Sequence, residues 1–145
     1  MIIRKAEKKD FETILDIENK SFKKPWSKSQ IESALKNIYV LTDSNTIKGF
    51  ICFEAVKNEG HILHMAVSPS YRGKGFGEKM MEEILKSPCD LFFLEVREGN
   101  IAAQNLYKKF GFEIISKRKN YYQDNNENAL VMKYTKQQKS GDSNE

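Results

Sequence analysis

Cysteine, proline and tryptophan are scarce in this chain, with two, three and one among 145 residues. Cys52 and Cys89 lie inside the apolar runs Phe50-Ile51-Cys52-Phe53 and Cys89-Asp90-Leu91-Phe92. There a free thiol behaves as a small buried hydrophobe, which argues against a disulfide framework. Also missing is any stretch near the roughly 18 consecutive apolar residues of a membrane span, and no long apolar run follows the charges of Met1-Ile2-Ile3-Arg4-Lys5. The expectation is a cytoplasmic protein with no membrane partner. One-sided charge is absent too, since 24 Lys and Arg against 20 Asp and Glu leave +4. That balance permits an anionic ligand but falls short of a nucleic-acid footprint, so no nucleic-acid partner is expected. The two histidines, His61 and His64, stand three residues apart on a predicted strand and so face opposite sides, with no Cys, Asp or Glu cluster to complete a metal site. No metal is assigned.

What is present suits one globular domain. Apolar residues at 39% can fill a core, and the 30% charged residues mix both signs. Residues 1–134 form the expected domain. From Thr135 to Glu145 no apolar residue occurs, and such a segment cannot repay the entropy of ordering, so a loose polar tail is expected.

Ile2 to Lys5 reads as a strand, followed by a helix in which Phe11, Ile14, Leu15, Glu18 and Phe22 keep the 3.6-residue period, with Asp10 near its start. Ser27-x-x-Gln30 has the capping-box form and opens a second helix ending near Lys36. Tyr39 to Leu41 and Ile47 to Val56 read as a hairpin, and His61 to Val67 as a further strand before Ser68-Pro69. Gly75 to Leu85 is helical by pattern, Leu91 to Val96 is an almost unbroken apolar strand, and Ile101 to Phe110 is helical again, which makes a strand-helix-strand unit. Phe112 to Ile115 and Ala129 to Tyr134 close the chain as an antiparallel pair around a polar loop. The class is α/β, a single domain with a mixed central sheet and flanking helices.

Arg72-Gly73-Lys74-Gly75-Phe76-Gly77 lies between a strand and a helix N-terminus. Glycines let backbone N–H groups approach a ligand, the helix end adds roughly half a positive charge, and Arg72 and Lys74 add two cations, so the segment can cradle a pyrophosphate. It lacks the Gly-Lys-Ser/Thr of a P-loop and the GxGxxG of a dinucleotide fold. A Gly-rich turn with solvated charges is the plain alternative.

At a fixed distance follow Leu94-Glu95-Val96-Arg97-x-x-Asn100, Leu106-Tyr107 and Gly111-Phe112. Together with the loop, this set resembles the GCN5-related N-acetyltransferase (GNAT) superfamily over Ile2 to about Tyr134. Phe22-x-x-Pro25-Trp26-Ser27 and Arg118-x-x-Tyr121-Tyr122 are similar to its RimI-type ribosomal-protein-alanine N-acetyltransferases. The resemblance implies acetyl-CoA as co-substrate. It implies that Met65, Ala66 and Val67 hold the pantetheine by their main chain. It also implies that Arg72, Gly73, Lys74, Gly75, Phe76, Gly77 and Glu78 wrap the pyrophosphate, and that Asn100 touches the cofactor arm. Glu95 matches the general base and Tyr107 the general acid. The chemistry agrees, because an N-terminal amine of pKa about 7.7–8.0 must lose a proton to attack a thioester and the departing thiolate must gain one. Taken singly, Glu95 also reads as a rim carboxylate and Tyr107 as a core aromatic with a wet hydroxyl.

Two positions depart from the pattern. Gly99 stands where the family usually has Ser, and Glu127-Asn128-Ala129 where Glu-Asp-Ala is typical. The implied partner is a protein N-terminus, that of a ribosomal protein. The alternatives are a small amine, a polyamine or a lysine side chain as acceptor, and a non-catalytic CoA-binding module.

Overall fold

The computed structural model describes residues 1–136. Its contacts group the chain into two compact units, one of Met1–Glu54 with Ile62–Ser87 and one of Ala55–His61 with the chain from Pro88 onward.

The first unit holds β1 (Ile2–Lys5), α1 (Phe11–Ser21), α2 (Lys28–Ala34), β2 (Ile38–Asp43), most of β3 (Thr46–Val56), the larger part of β4 (Glu59–Val67) and α3 (Phe76–Ile84). Its strands follow the order β1-β2-β3-β4, with β1 and β3 both antiparallel to β2. Ser44 and Asn45, both at positive φ, turn β2 into β3, which is the backbone that a two-residue hairpin needs. Ile14 and Ile17 of α1 and Ile31 of α2 pack with Val40, Phe50, Cys52 and Ala66 of the sheet. Each fully buried aliphatic side chain there contributes about 1.5–3 kcal/mol. Burial also pushes the Cys52 thiol up to about 11, which keeps it an inert hydrophobe.

The capping box opens α2 as expected. Ser27 Oγ accepts from Gln30 N–H at 3.1 Å, and Gln30 Oε1 accepts from Ser27 N–H at 2.7 Å. Asp10 does not cap α1 through its side chain. Its buried carboxylate instead accepts from Arg4 Nη1 and Nη2, at 2.8 and 3.0 Å, and from Glu7 N–H at 2.7 Å. The Arg4 hydrogen bonds hold the Asp10 carboxyl below its usual range, so β1 is locked to the start of α1.

The second unit carries β5 (Leu91–Arg97), α4 (Ile101–Lys109), β6 (Glu113–Tyr122) and β7 (Glu127–Thr135), in the strand order β5-β7-β6 with both pairs antiparallel. Phe92, Leu94, Val96, Phe112, Leu130 and Met132 are buried. Thr135, the first residue of the expected tail, is the last of β7, and Lys136 N–H donates to Asp90 O at 2.8 Å. The ladder therefore extends past residue 134, and the rest of the expected tail, 137–145, lies outside the described residues. Among the described residues no helix is long and apolar enough to cross a membrane.

Candidate active site

Each unit carries one group of the singled-out residues. In the first, Met65, Ala66 and Val67 end β4, and Ser68-Pro69 stops the strand as the sequence suggests, with Pro69 opening a 3-10 turn through Tyr71. Gly49 lies against this strand end. A Cβ on it would stand 2.7 Å from Ala66 O and 3.2 Å from Val67 Cα, so only glycine lets β3 approach so closely. The sequence reading did not single out Gly49, since an isolated glycine in a strand pattern is a weak signal.

Beyond the turn, Arg72, Gly73, Lys74 and Gly75 are exposed. Gly73 and Gly75 sit at φ +78° and +83° with open space where a Cβ would lie, so backbone conformation rather than crowding selects glycine. Gly75 is the N-cap of α3 and supplies no side-chain cap. Lys79 N–H donates to Gly75 O at 3.0 Å, the first intrahelical bond of α3, and the N–H groups of Phe76 and Gly77 precede it in the first turn. Their donors and the helix dipole suit an anion, with Lys74 beside them. Arg72 is partly committed, since its Nε donates to Val67 O at 3.1 Å.

In the second unit Glu95 lies on β5 with its side chain about one-third exposed. Its Oε2 pairs with Arg118 Nε at 2.8 Å, and the Tyr121 hydroxyl donates to the same carboxylate, which raises the Tyr121 pKa. Arg118 also lies 5.4 Å from the Tyr121 ring centre. Glu95 is thus held by two residues of β6, a strand whose length the sequence reading underestimated. Tyr107 of α4 packs on Phe112 at 6.1 Å between ring centres. Burial first, and the Tyr122 hydroxyl second, push Tyr107 up to about 12. Its hydroxyl makes no hydrogen bond among the described residues, yet it is not one of their sealed, unpartnered polar atoms, of which Ser21 Oγ is the one case. It is a phenol that stays protonated at neutral pH. Asn100 is the N-cap of α4, and its Oδ1 accepts from Ala103 N–H at 3.1 Å, a role in the fold that the sequence did not suggest.

The two departures from the family pattern fall in one bonded cluster. Glu127 Oε2 accepts from Gly99 N–H at 2.6 Å, and a Cβ on Gly99 would meet that oxygen at 2.6 Å. Asn128 donates through Nδ2 to Glu98 Oε1 and accepts at Oδ1 from Asn120 N–H, both at 2.9 Å. Arg97 pairs with Asp124 and Glu127 and lies 3.9 Å from the Tyr122 ring centre. The end of β5 is therefore tied to the β6–β7 hairpin by charge as well as by the strand ladder.

The chain is similar to several known proteins. The model of the Acetyltransferase (GNAT) family matches residues 4–112. A ribosomal protein bS18-alanine N-acetyltransferase of Haemophilus influenzae is 35% identical, over 90% of this chain and 96% of that protein. The enzyme of the same name from Escherichia coli is 31% identical over 90% and 94%. A crystal structure of the Escherichia coli ribosomal-protein-S18-alanine N-acetyltransferase superposes with a TM-score of 0.84 at 28% identity, covering 96% of both chains. The expected α/β fold, a mixed sheet with flanking helices, is borne out by these matches. The chain belongs to the Acetyltransferase (GNAT) family, and it is an acetyl-CoA-dependent N-acetyltransferase.

Proposed function

We propose that this enzyme acetylates the N-terminal alanine of a small-subunit ribosomal protein, bS18 by the names of its relatives, in the cytoplasm. The observation that carries the reading is identity of 31–35% along nine-tenths of the chain to two enzymes bearing that name.

The uncapped first turn of α3 and the two positive-φ glycines fit a pyrophosphate, and Met65, Ala66 and Val67 offer main-chain groups to the pantetheine. Asn100 approaches the cofactor arm by its amide, its Oδ1 being used in the cap. Glu95 accepts a proton from the acceptor nitrogen, directly or through one water, and Tyr107 donates to the sulfur as the C–S bond breaks. A phenol near 12 hands its proton uphill to a thiolate of reference pKa about 8.5. Tyr107 therefore acts while sulfur is acquiring charge, by a hydrogen bond that tightens along the breaking bond.

Calorimetry with CoA tests the cradle. Gly75→Ala, whose new Cβ meets nothing within 4 Å but must hold φ +83°, is expected to weaken binding several-fold. Gly75→Pro cannot reach that φ and is expected to lose about 10–100-fold. Wild-type affinity in a folded Gly75→Pro variant removes the loop from the site. The acceptor is tested by comparing kcat/KM for an alanine-starting peptide, its N-blocked form carrying a lysine, and a polyamine. Preference for either of the latter overturns the proposed acceptor.

A further inference from the structure

Glu18 is a fully buried carboxylate on the apolar stripe of α1. Both its oxygens are used: Oε2 accepts from Trp26 N–H, and Oε1 lies 2.7 Å from His64 Nε2. The His64 ring is stacked on Trp26 at 4.1 Å and 12°, and is flanked by Phe22 at 4.8 Å and Phe50 at 6.0 Å. From α1 the ionisable neighbour is Glu18, while the α1–α2 segment and β3 present the uncharged rings of Phe22, Trp26 and Phe50. A buried carboxylate is tolerated when its oxygens have donors, and in the neutral ring a hydrogen on Nε2 supplies one and leaves Nδ1 as the accepting nitrogen. Among the described residues Nδ1 has no hydrogen-bond partner and is not a sealed unpartnered atom, and the side chain keeps 17% of its surface exposed. An imidazole oriented by a buried carboxylate through one nitrogen, in a side chain that keeps part of its surface exposed, is the arrangement of a general base. It adjoins Met65 in sequence.

Acetyl transfer takes two protons from the acceptor nitrogen. An α-ammonium enters and an amide leaves, while one proton ends on the CoA sulfur as the C–S bond breaks and the other reaches solvent. The first must go before nitrogen has a lone pair with which to form the N–C bond, and the second goes as the amide forms. We propose that His64, positioned by Glu18, takes the first proton at Nδ1 and releases it to solvent. This rests on the reading that the thioester lies along the end of β4.

The test is the pH profile of kcat/KM with an alanine-starting peptide. For an α-amine of pKa about 8.0, only about one molecule in ten is neutral at pH 7. His64→Gln and His64→Phe are therefore expected to lose about tenfold at pH 7 and to regain wild-type values above about pH 9, rising with unit slope between. Glu18→Gln keeps an oxygen for Trp26 N–H but turns an amide donor toward Nε2, which moves the ring hydrogen to Nδ1. The same pH-dependent loss is expected. Unchanged activity at pH 7, or a loss equal at all pH values, overturns the proposal. Long-range proton–nitrogen NMR on the unaltered protein at pH 8 needs neither a folded variant nor turnover. Hydrogen on Nε2 of His64 supports the assignment and hydrogen on Nδ1 overturns it. A protein inactive on α-amines, by contrast, fails the functional reading itself.

Discussion

Tyr107→Phe is expected to lower kcat by about 10²–10⁴-fold, the usual range for removal of a general acid, with CoA affinity unchanged. The ring and its contact with Phe112 are kept, and the hydroxyl that is lost has no hydrogen-bond partner among the described residues, so the melting temperature should stay within a few degrees. The sign of the pH dependence also follows. A phenol of ordinary pKa, about 10, would ionise and cease to donate as pH rises through that value, whereas Tyr107, raised to about 12, stays protonated. The kcat of the unaltered enzyme should therefore show no fall near pH 10. Stopped assays with CoA-thiol detection measure both effects. Near-normal turnover in the variant would mean that water delivers the proton.

Glu95→Gln is expected to reduce kcat by a comparable 10²–10⁴-fold, and to do so at every pH. The nitrogen must lose its second proton as the amide forms, whatever the charge state of the free amine. That uniformity separates Glu95 from His64, whose loss should vanish once the amine is neutral in solution. Stability should change little, since the Arg118 partner is largely exposed and such pairs contribute about 0–1 kcal/mol. Wild-type kcat in this variant removes Glu95 from the mechanism.

Local signals in this chain were legible wherever chemistry and backbone agreed. Ser27 and Gln30 announce the start of α2, and the glycines of 72–77 announce both a positive-φ loop and an open helix end. The helix Ile101–Lys109 and the strand Leu91–Arg97 fall where periodicity puts them. What escaped depends on tertiary partners. β6 runs to Tyr122 although every residue from Glu113 to Tyr121 is exposed, because pairing with β7 rather than burial sustains it. Its polar run Lys117-Arg118-Lys119-Asn120 reads as loop in isolation. Asp10 looks like a helix cap, but the bidentate grip of Arg4 outcompetes that use. For the site, Glu95, Tyr107 and the loop were named from the sequence, whereas the partners that hold Glu95, namely Arg118 and Tyr121, come from a strand two positions away in the sheet. His64 was set aside with His61 for want of a metal cluster. The missed signal was a carboxylate on the core stripe of α1, where Glu18 could persist only with a buried partner.

The central claim is acetyl transfer from acetyl-CoA to an N-terminal alanine, and mass spectrometry of a peptide copying the N-terminus of ribosomal protein bS18 tests it most directly. After incubation with the protein and acetyl-CoA, fragmentation should place a single acetyl group on the alanine α-nitrogen, with none on internal lysines and none when Tyr107→Phe replaces the unaltered enzyme at matched time. Acetyl groups on lysine side chains alone, or an unmodified peptide in the presence of bound CoA, would contradict it.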